Sequence, residues 1–203
     1  MKKIISLLLI VASLTVLFAS CKPTQEKTVI SGNYTYVTLE DNTAKIVKYS
    51  CSDEMIELEI PASLDDLTVT VIGSGAFADV TTIGAVTFPE TITLIESEAF
   101  KGSSIKKAYL HMCSALTEIQ SNAFAECHNL VQVDLPRNLE TIGEGAFYYC
   151  DSLKIANFRG DTANIHQFAF DACPKVKIYT KQEFRNVIDF AQTYHVELSI
   201  SGK

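Results

Sequence analysis

Apolar residues recur along this chain with a period of 23 to 24 residues. The dipeptide Ala-Phe occurs five times, and the distances from one Phe to the next are 23, 24, 23 and 23 residues. The five aromatic residues are Phe77, Phe100, Phe124, Phe147 and Phe170. An Ile lies five residues before each Phe, and most copies have Leu, Ile or Val six residues after it. This recurrence predicts a solenoid, because a single repeat cannot bury its own apolar side chains whereas stacked repeats bury one another's.

Within one repeat, apolar and polar positions alternate, and this predicts a short strand. Leu130, Val133 and Leu135 are the positions expected to face inward. Pro136 then ends the strand, because proline has no N–H to donate to a neighbouring strand. The repeat Phe lies in a tight turn beside a small Ala, which leaves room for the next repeat. We therefore expect the five Phe rings to stack in one column along the solenoid.

The repeat has a recognisable full motif. Between Ile119 and Pro136 it is I-x(3)-A-F-x(2)-C-x(2)-L-x(2)-V-x-L-P. The motif resembles the BspA-type leucine-rich repeats of bacterial surface proteins, and the resemblance covers roughly residues 32–194. It implies a β-rich leucine-rich-repeat solenoid, a right-handed coil of about five 23–24-residue repeats with little helix. It also implies surface adhesion and the binding of host extracellular-matrix proteins.

Both ends of such a solenoid need a cap, because an open end exposes core side chains and strand edges. Alternating residues predict an N-terminal β-hairpin cap with a third strand over 32–66, followed by the solenoid over 67–180. Residues 181–203 are predicted to form a C-terminal helical cap that ends in a strand. The capping-box pattern of Thr180–Glu183 predicts a helix over about 181–193. The apolar face of that helix would consist of Phe184, Val187, Ile188 and Ala191, and the final strand would contain Val196, Leu198 and Ile200.

The beginning of the chain has the pattern of an export signal. Lys2 and Lys3 precede an uncharged apolar run, Ile4–Phe18, and small residues follow it. The run has 15 residues, fewer than the roughly 20 that a bilayer-spanning helix needs. We therefore expect residues 1–20 to be a signal peptide.

The residues at the end of this signal indicate how the mature protein is held. The sequence Leu17–Cys21 resembles a bacterial lipobox, in which the Cys thiol receives a diacylglycerol and becomes the first mature residue. We expect Cys21 to be the lipid attachment site and residues 21–31 to form a flexible tether. The alternative is a secreted protein in which this cysteine is incidental.

The charge balance argues against nucleic acid as a partner. The chain has 203 residues and a formal net charge of −7, and its pI is near 5.1. Binding to phosphates requires a clustered basic surface, which this composition does not favour. The hydrophobic content of 47% is too high for a disordered chain.

The cysteines inside the repeats are predicted to be structural. Cys127, Cys150 and Cys173 each follow a repeat Phe by three residues, where earlier copies have Val80 and Ser103. This exchange indicates a position for a small, partly apolar group and hence a buried column of thiols. Disulfides between adjacent repeats are the alternative, although parallel Cβ vectors would strain them.

No arrangement for metal binding or catalysis emerges from the sequence. His111, Cys113, Cys127 and His128 come closest, but there is no CxxC pair, and adjacent Cys and His residues in a strand point to opposite faces. The four His fall at unrelated positions of the repeat. We therefore expect no enzyme activity, no cofactor and no metal site.

The outward face of the predicted sheet is the remaining candidate site. Its residues in three successive repeats would form one patch with aromatic, aliphatic and charged groups, a composition found in protein interfaces. These residues are Lys107, Tyr109, Gln132, Asp134, Ile155 and Asn157. We expect them to bind a protein or glycan ligand; a solvated face without a ligand is the alternative.

These features predict an exported, lipid-anchored interaction or adhesion module of the bacterial cell envelope, located at the outer membrane or cell surface. The alternative function is that of an accessory scaffold lipoprotein in an envelope or nutrient-capture complex. The ligand and the oligomeric state stay open at this point.

Overall fold

The computed structural model describes residues 27–53 and 55–201, which form a β-solenoid with two sheets and one short helix. The elements are β1 (Thr28–Ser31), β2 (Tyr34–Thr38), β3 (Ala44–Tyr49), β4 (Met55–Glu59), β5 (Ser63–Leu64), β6 (Leu67–Ile72), β7 (Ile83–Thr87), β8 (Leu94–Ile95), β9 (Lys107–Tyr109), β10 (Glu118–Ile119), β11 (Gln132–Leu135), β12 (Thr141–Ile142), β13 (Ile155–Phe158), β14 (Asn164–Ile165), β15 (Lys177–Lys181), α1 (Arg185–Thr193) and β16 (Glu197–Ser201).

The repeats alternate between the two sheets, which face each other across the core. The front sheet is entirely parallel, with the strand order β4, β7, β9, β11, β13, β15, β16. The back sheet runs in parallel from β3 through β6, β8, β10 and β12 to β14. The antiparallel strands β1 and β2 extend the back sheet beyond β3, and β5 pairs antiparallel with β6. The predicted β-rich solenoid is thus confirmed.

A column of aromatic rings runs through the core between the two sheets. Consecutive rings of the five repeat Phe residues lie 4.7 to 5.3 Å apart between centroids and are within 11° of parallel. None of the five side chains is more than 6% exposed. The predicted stack is therefore present, and each ring covers a face of the next.

Backbone hydrogen bonds hold the turns that carry these rings. The amide of each Phe donates to the carbonyl of the Ala that precedes the Phe in the next repeat, at 2.7 to 2.8 Å. The four pairs are Phe77–Ala99, Phe100–Ala123, Phe124–Ala146 and Phe147–Ala169. The four Ala residues are fully buried, so a larger side chain would force adjacent turns apart.

The stack extends beyond the five repeats that the Ala-Phe pattern marks. Tyr49 stacks on Phe77 with the ring centroids 5.1 Å apart, and the Tyr49 amide donates to the carbonyl of Ala76 at 2.8 Å. Tyr49 therefore takes the place of the repeat Phe in an additional N-terminal turn. At the other end, Phe190 of α1 lies 6.2 Å from Phe170 and closes the column.

The N-terminal boundaries differ from the predicted ones. The expected hairpin exists as β2 and β3, but β3 and β4 already pair in parallel with β6 and β7. The parallel sheets thus begin before residue 67. The tether prediction for 21–31 is wrong at residues 28–31, since these form β1 and pair with β2. The signal peptide of 1–20 and Cys21 lie outside the described residues.

The C-terminal cap consists of a helix and a strand, as predicted, but the helix begins at Arg185. The capping box does not form, because Thr180 and Lys181 continue β15 and pair with β16. Asp161 caps the helix instead: its carboxylate accepts hydrogen bonds from the amide of Val187 at 3.2 Å and from the side chain of Asn186 at 3.0 Å. A carboxylate at this end of a helix is favourable, because the first N–H groups there have no partner within the helix.

The helix α1 is too short to cross a bilayer, and the part of the chain that the structure describes contains no other helix that could do so.

The aromatic column generates a stability prediction. Replacing Phe124 with Ala should lower the free energy of unfolding by about 3–5 kcal/mol, because it leaves a cavity between two rings. The side chain of Phe168 is 47% exposed, and Phe168→Ala should change this free energy by less than about 0.5 kcal/mol. Urea unfolding followed by circular dichroism measures both effects. Equal midpoints for the two variants would contradict the burial of Phe124.

Candidate functional site

The outward positions of the front sheet form two continuous rows, which we call the front face. The strand register aligns Glu57, Ala85, Lys107, Gln132, Ile155, Lys177 and Glu197 in the first row. It aligns Glu59, Thr87, Tyr109, Asp134, Asn157, Tyr179 and Ser199 in the second. The six residues predicted from the sequence lie side by side in the middle, on β9, β11 and β13.

Asp134 differs from its prediction as an exposed charge, because it is only 5% exposed. Gln132 donates its side-chain amide to one carboxylate oxygen of Asp134 at 3.0 Å, and Asn157 donates to the other at 2.5 Å. These charge-assisted hydrogen bonds replace the water that the carboxylate loses on burial. Asp134 therefore holds the two amides in fixed positions, and the surface that a ligand can reach consists of its neighbours.

The other five predicted residues remain accessible. Lys107 is exposed, and Tyr109, Gln132, Ile155 and Asn157 are half-buried. Lys107 forms no ion pair with any described residue, whereas Lys177 in the same row lies 2.8 Å from Glu197. The hydrogen bond from Lys177 to Glu197 raises the pKa of Lys177. Lys107 is thus the available cation of the first row.

A cavity of about 450 Å³ opens in the front face next to Lys107 and Tyr109. We call it the front pocket. Gly84 and Ala85 of β7 lie among its lining residues, between Glu57 on one side and Lys107 on the other. The cavity exists because the small residues of β7 lie between strands that carry long side chains. Its volume falls in the range of ligand sites in proteins.

The composition of the front pocket suits a mixed ligand. Glu57 and Lys107 supply opposite charges, and Tyr109 supplies an aromatic ring beside them. Thr81, Ser104 and Asn129 add hydroxyl and amide groups. The sequence analysis missed this cavity, because only the strand register shows which residues flank Ala85.

The repeat thiols form the predicted buried column. Cys51, Cys113, Cys127, Cys150 and Cys173 are all unbonded to other cysteines. Three of them donate to the carbonyl of a Phe in the preceding repeat at 2.9 to 3.1 Å, and these pairs are Cys127–Phe100, Cys150–Phe124 and Cys173–Phe147. The position therefore selects a small side chain with a weak donor, which explains the Ser at 103.

Burial keeps these thiols chemically inert. Desolvation raises the pKa of Cys113 to about 12, and it raises the pKa of Cys150 well above the ordinary thiol value. A thiol that stays protonated at neutral pH is neither a nucleophile nor a ready metal ligand. The column is consequently a structural feature.

The imagined metal ligands do not converge. Cys113 and Cys127 are fully buried, whereas the side chain of His128 is 57% exposed and lies 3.6 Å from Asp151. Within residues 27–53 and 55–201, no group of three or more His, Cys, Asp or Glu side chains is placed to hold a metal ion.

Comparison with known protein families identifies the repeats. The model of the BspA type leucine rich repeat region matches residues 45–177 in six copies. The chain belongs to this family. The sequence analysis counted about five copies because it relied on the Ala-Phe pair, which the turn containing Tyr49 lacks. Leucine-rich repeats generally mediate protein interactions and are generally non-enzymatic.

Solved structures of bacterial leucine-rich repeat proteins share the fold. A leucine-rich repeat protein of T. pallidum is 23% identical, with a TM-score of 0.69 over 87% of this chain and 84% of that one. The pneumococcal vaccine antigen PcpA is 24% identical, with a TM-score of 0.63 over 77% of this chain and 44% of that one. A Bacteroides capillosus leucine-rich repeat protein is 30% identical, with a TM-score of 0.49 over 75% of this chain and 99% of that one. A search of curated proteins finds no match.

The thiol column generates a labelling prediction. At pH 8 in the native state, a thiol reagent should modify Cys51, which is partly exposed, and should leave Cys113, Cys127, Cys150 and Cys173 unmodified. Mass spectrometry before and after addition of denaturant measures this, with Cys51→Ser as the control that removes the native signal. Rapid native labelling of Cys150 would contradict its burial.

Proposed function

We propose that the protein is a lipid-anchored surface module that binds a macromolecular partner, a protein or a glycan, through the front face. The observation that carries this proposal is the front pocket, with Lys107 and Tyr109 at its side, in the middle of an uninterrupted parallel sheet. The predicted patch and this cavity coincide at these two residues.

The rigidity of the front face supports this proposal. The backbone of each strand is hydrogen-bonded to its neighbours on both sides, and the Asp134 carboxylate fixes the amides of Gln132 and Asn157. A surface that is ordered before binding loses less conformational entropy when a partner docks. The energy of the contacts then appears more fully as affinity.

Family membership supports an interaction function for this surface. Repeats of this type stack into extended faces on which many positions can vary without disturbing the core. The outward residues of the front sheet differ from repeat to repeat, whereas the inward residues stay apolar. Variation restricted to the outward positions leaves them available for ligand recognition.

The proposed anchor complements this face. Two or three acyl chains on Cys21 would hold the protein at a membrane, since each buried methylene contributes about 0.8 kcal/mol. The polar sequence of 22–27 would connect this anchor to β1, which begins at Thr28. The front face would then be presented outside the envelope.

The front face generates a binding prediction. We expect the purified protein to bind at least one of immobilised fibronectin, laminin and collagen, and the combined substitution of Lys107→Ala with Tyr109→Ala to weaken that binding at least tenfold. Loss of the charge and the ring removes the groups that flank the front pocket. The matched control replaces Lys175 and Tyr149, both exposed and away from the front pocket, with Ala.

Surface plasmon resonance distinguishes the outcomes. Equal affinities for wild type and the front-face variant would contradict the proposed site. If the wild type binds no matrix protein but crosslinks through Lys107 to a partner in membrane extracts of its own bacterium, the scaffold function replaces adhesion.

The anchor generates a second prediction. Cys21→Ala should leave the chain unprocessed or release it into the medium, because the lipidated thiol is lost. Cys51→Ala is the control and should behave as wild type. Cell fractionation followed by detergent phase partitioning measures the outcome. A normally processed Cys21→Ala protein that stays with the membrane would contradict the lipid anchor.

A further inference from the structure

A second cavity, of about 410 Å³, lies where β11, β13, β15 and β16 end. We call it the basic pocket. Its lining includes three cations, Arg137, Arg159 and Lys181. Tyr179, Ser199 and Ser201 also line it, and no Asp or Glu is among its lining residues. This is unusual in a chain whose net charge is −7.

The three cations come from three successive turns of the solenoid. Arg137 follows β11, Arg159 follows β13 and Lys181 ends β15. Arg137 and Arg159 are exposed and form no ion pair with any described residue. Lys181 is partly engaged, 3.6 Å from Glu183 and 5.8 Å from the centre of the Phe184 ring. The two arginines are therefore the uncompensated charges.

Backbone packing keeps the two arginines close together. Gly160 follows Arg159 and lies directly against the carbonyl of Arg137, so that even a Cβ would not fit there. Adjacent strands are about 4.8 Å apart, and like charges at such a separation repel one another. An anion between the two guanidinium groups removes this repulsion.

The spacing and chemistry of the pocket indicate a class of ligand. Charges distributed over three turns match a polymer that carries an anionic group on successive units better than they match a single small ion. Guanidinium groups bind oxyanions through paired N–H donors. The hydroxyl groups of Ser199 and Ser201 suit sugar hydroxyls, and the exposed ring of Tyr179 offers an apolar surface to a sugar ring.

We propose that the basic pocket binds sulfated glycans, with Arg137 and Arg159 holding the sulfate esters. This inference deepens the proposed function, since it assigns a ligand class to one end of the front face. It stands apart from the front pocket, which shares none of these three cations.

A titration of the full chain with a heparin-derived oligosaccharide tests the inference. Isothermal titration calorimetry should show binding that weakens as salt increases from low to physiological concentration, because the contact is ionic. Arg137→Gln combined with Arg159→Gln should weaken it at least tenfold. The matched control, Lys154→Gln with Lys175→Gln, removes the same charge at exposed positions outside the pocket and should change the affinity by less than twofold.

Further ligands and one further variant separate the possible explanations. The same oligosaccharide without sulfate should not bind, and polyglutamate of equal charge should bind at least tenfold more weakly. The variant with Lys107→Ala and Tyr109→Ala should keep its affinity for the sulfated oligosaccharide, so that failure of the front-pocket proposal can be recognised separately.

Three results would overturn the inference. They are the absence of measurable binding, equal loss of affinity in the arginine variant and the lysine control, and tighter binding of polyglutamate than of the sulfated sugar. All four substituted side chains are exposed, and circular dichroism verifies that both variants are folded.

Discussion

The structure depends on the contact between one turn of the solenoid and the next at the repeat Phe. There, the ring stacks on its neighbours while the amide of the same residue bonds to the next turn. The apolar and the polar requirement of the turn are thus met at one position. The contact sets the period of the chain, because any change in repeat length would move the ring out of the column. It also sets the strand register, and through it the neighbours of every outward side chain.

The candidate sites follow from this register. Because β4, β7 and β9 are aligned, Gly84 and Ala85 lie between longer side chains, and the front pocket results. Because β11, β13 and β15 end at nearly the same level, Arg137, Arg159 and Lys181 line one cavity. The core residues are almost the same in each turn, so the differences between turns are concentrated on the surface. A solenoid can therefore acquire binding sites at outward positions without loss of its core.

Much of this architecture is predictable from the sequence because the repeat signal is redundant. Five Ala-Phe pairs, with apolar residues at fixed offsets, locate the core, the inward side of β11 and the adjacency of Lys107, Gln132 and Ile155. The failures concern contacts between turns that no local pattern contains. Asp134 looks like an exposed charge in its own strand, and its burial depends on amides from Gln132 and Asn157. Thr180–Glu183 has the pattern of a capping box, but β16 draws the first two of its residues into a strand, and Asp161 caps the helix from another turn.

Native-state hydrogen exchange tests the central contact most directly. The amides of Phe77, Phe100, Phe124 and Phe147 all bond to the following turn inside the core. The account predicts that these four amides exchange only through global unfolding and are among the slowest in the protein. The amides of exposed turn residues such as Glu144 and Gln167 should exchange far faster. Exchange of the four Phe amides at the rates of Glu144 and Gln167 would contradict the stacked turns on which both binding sites depend.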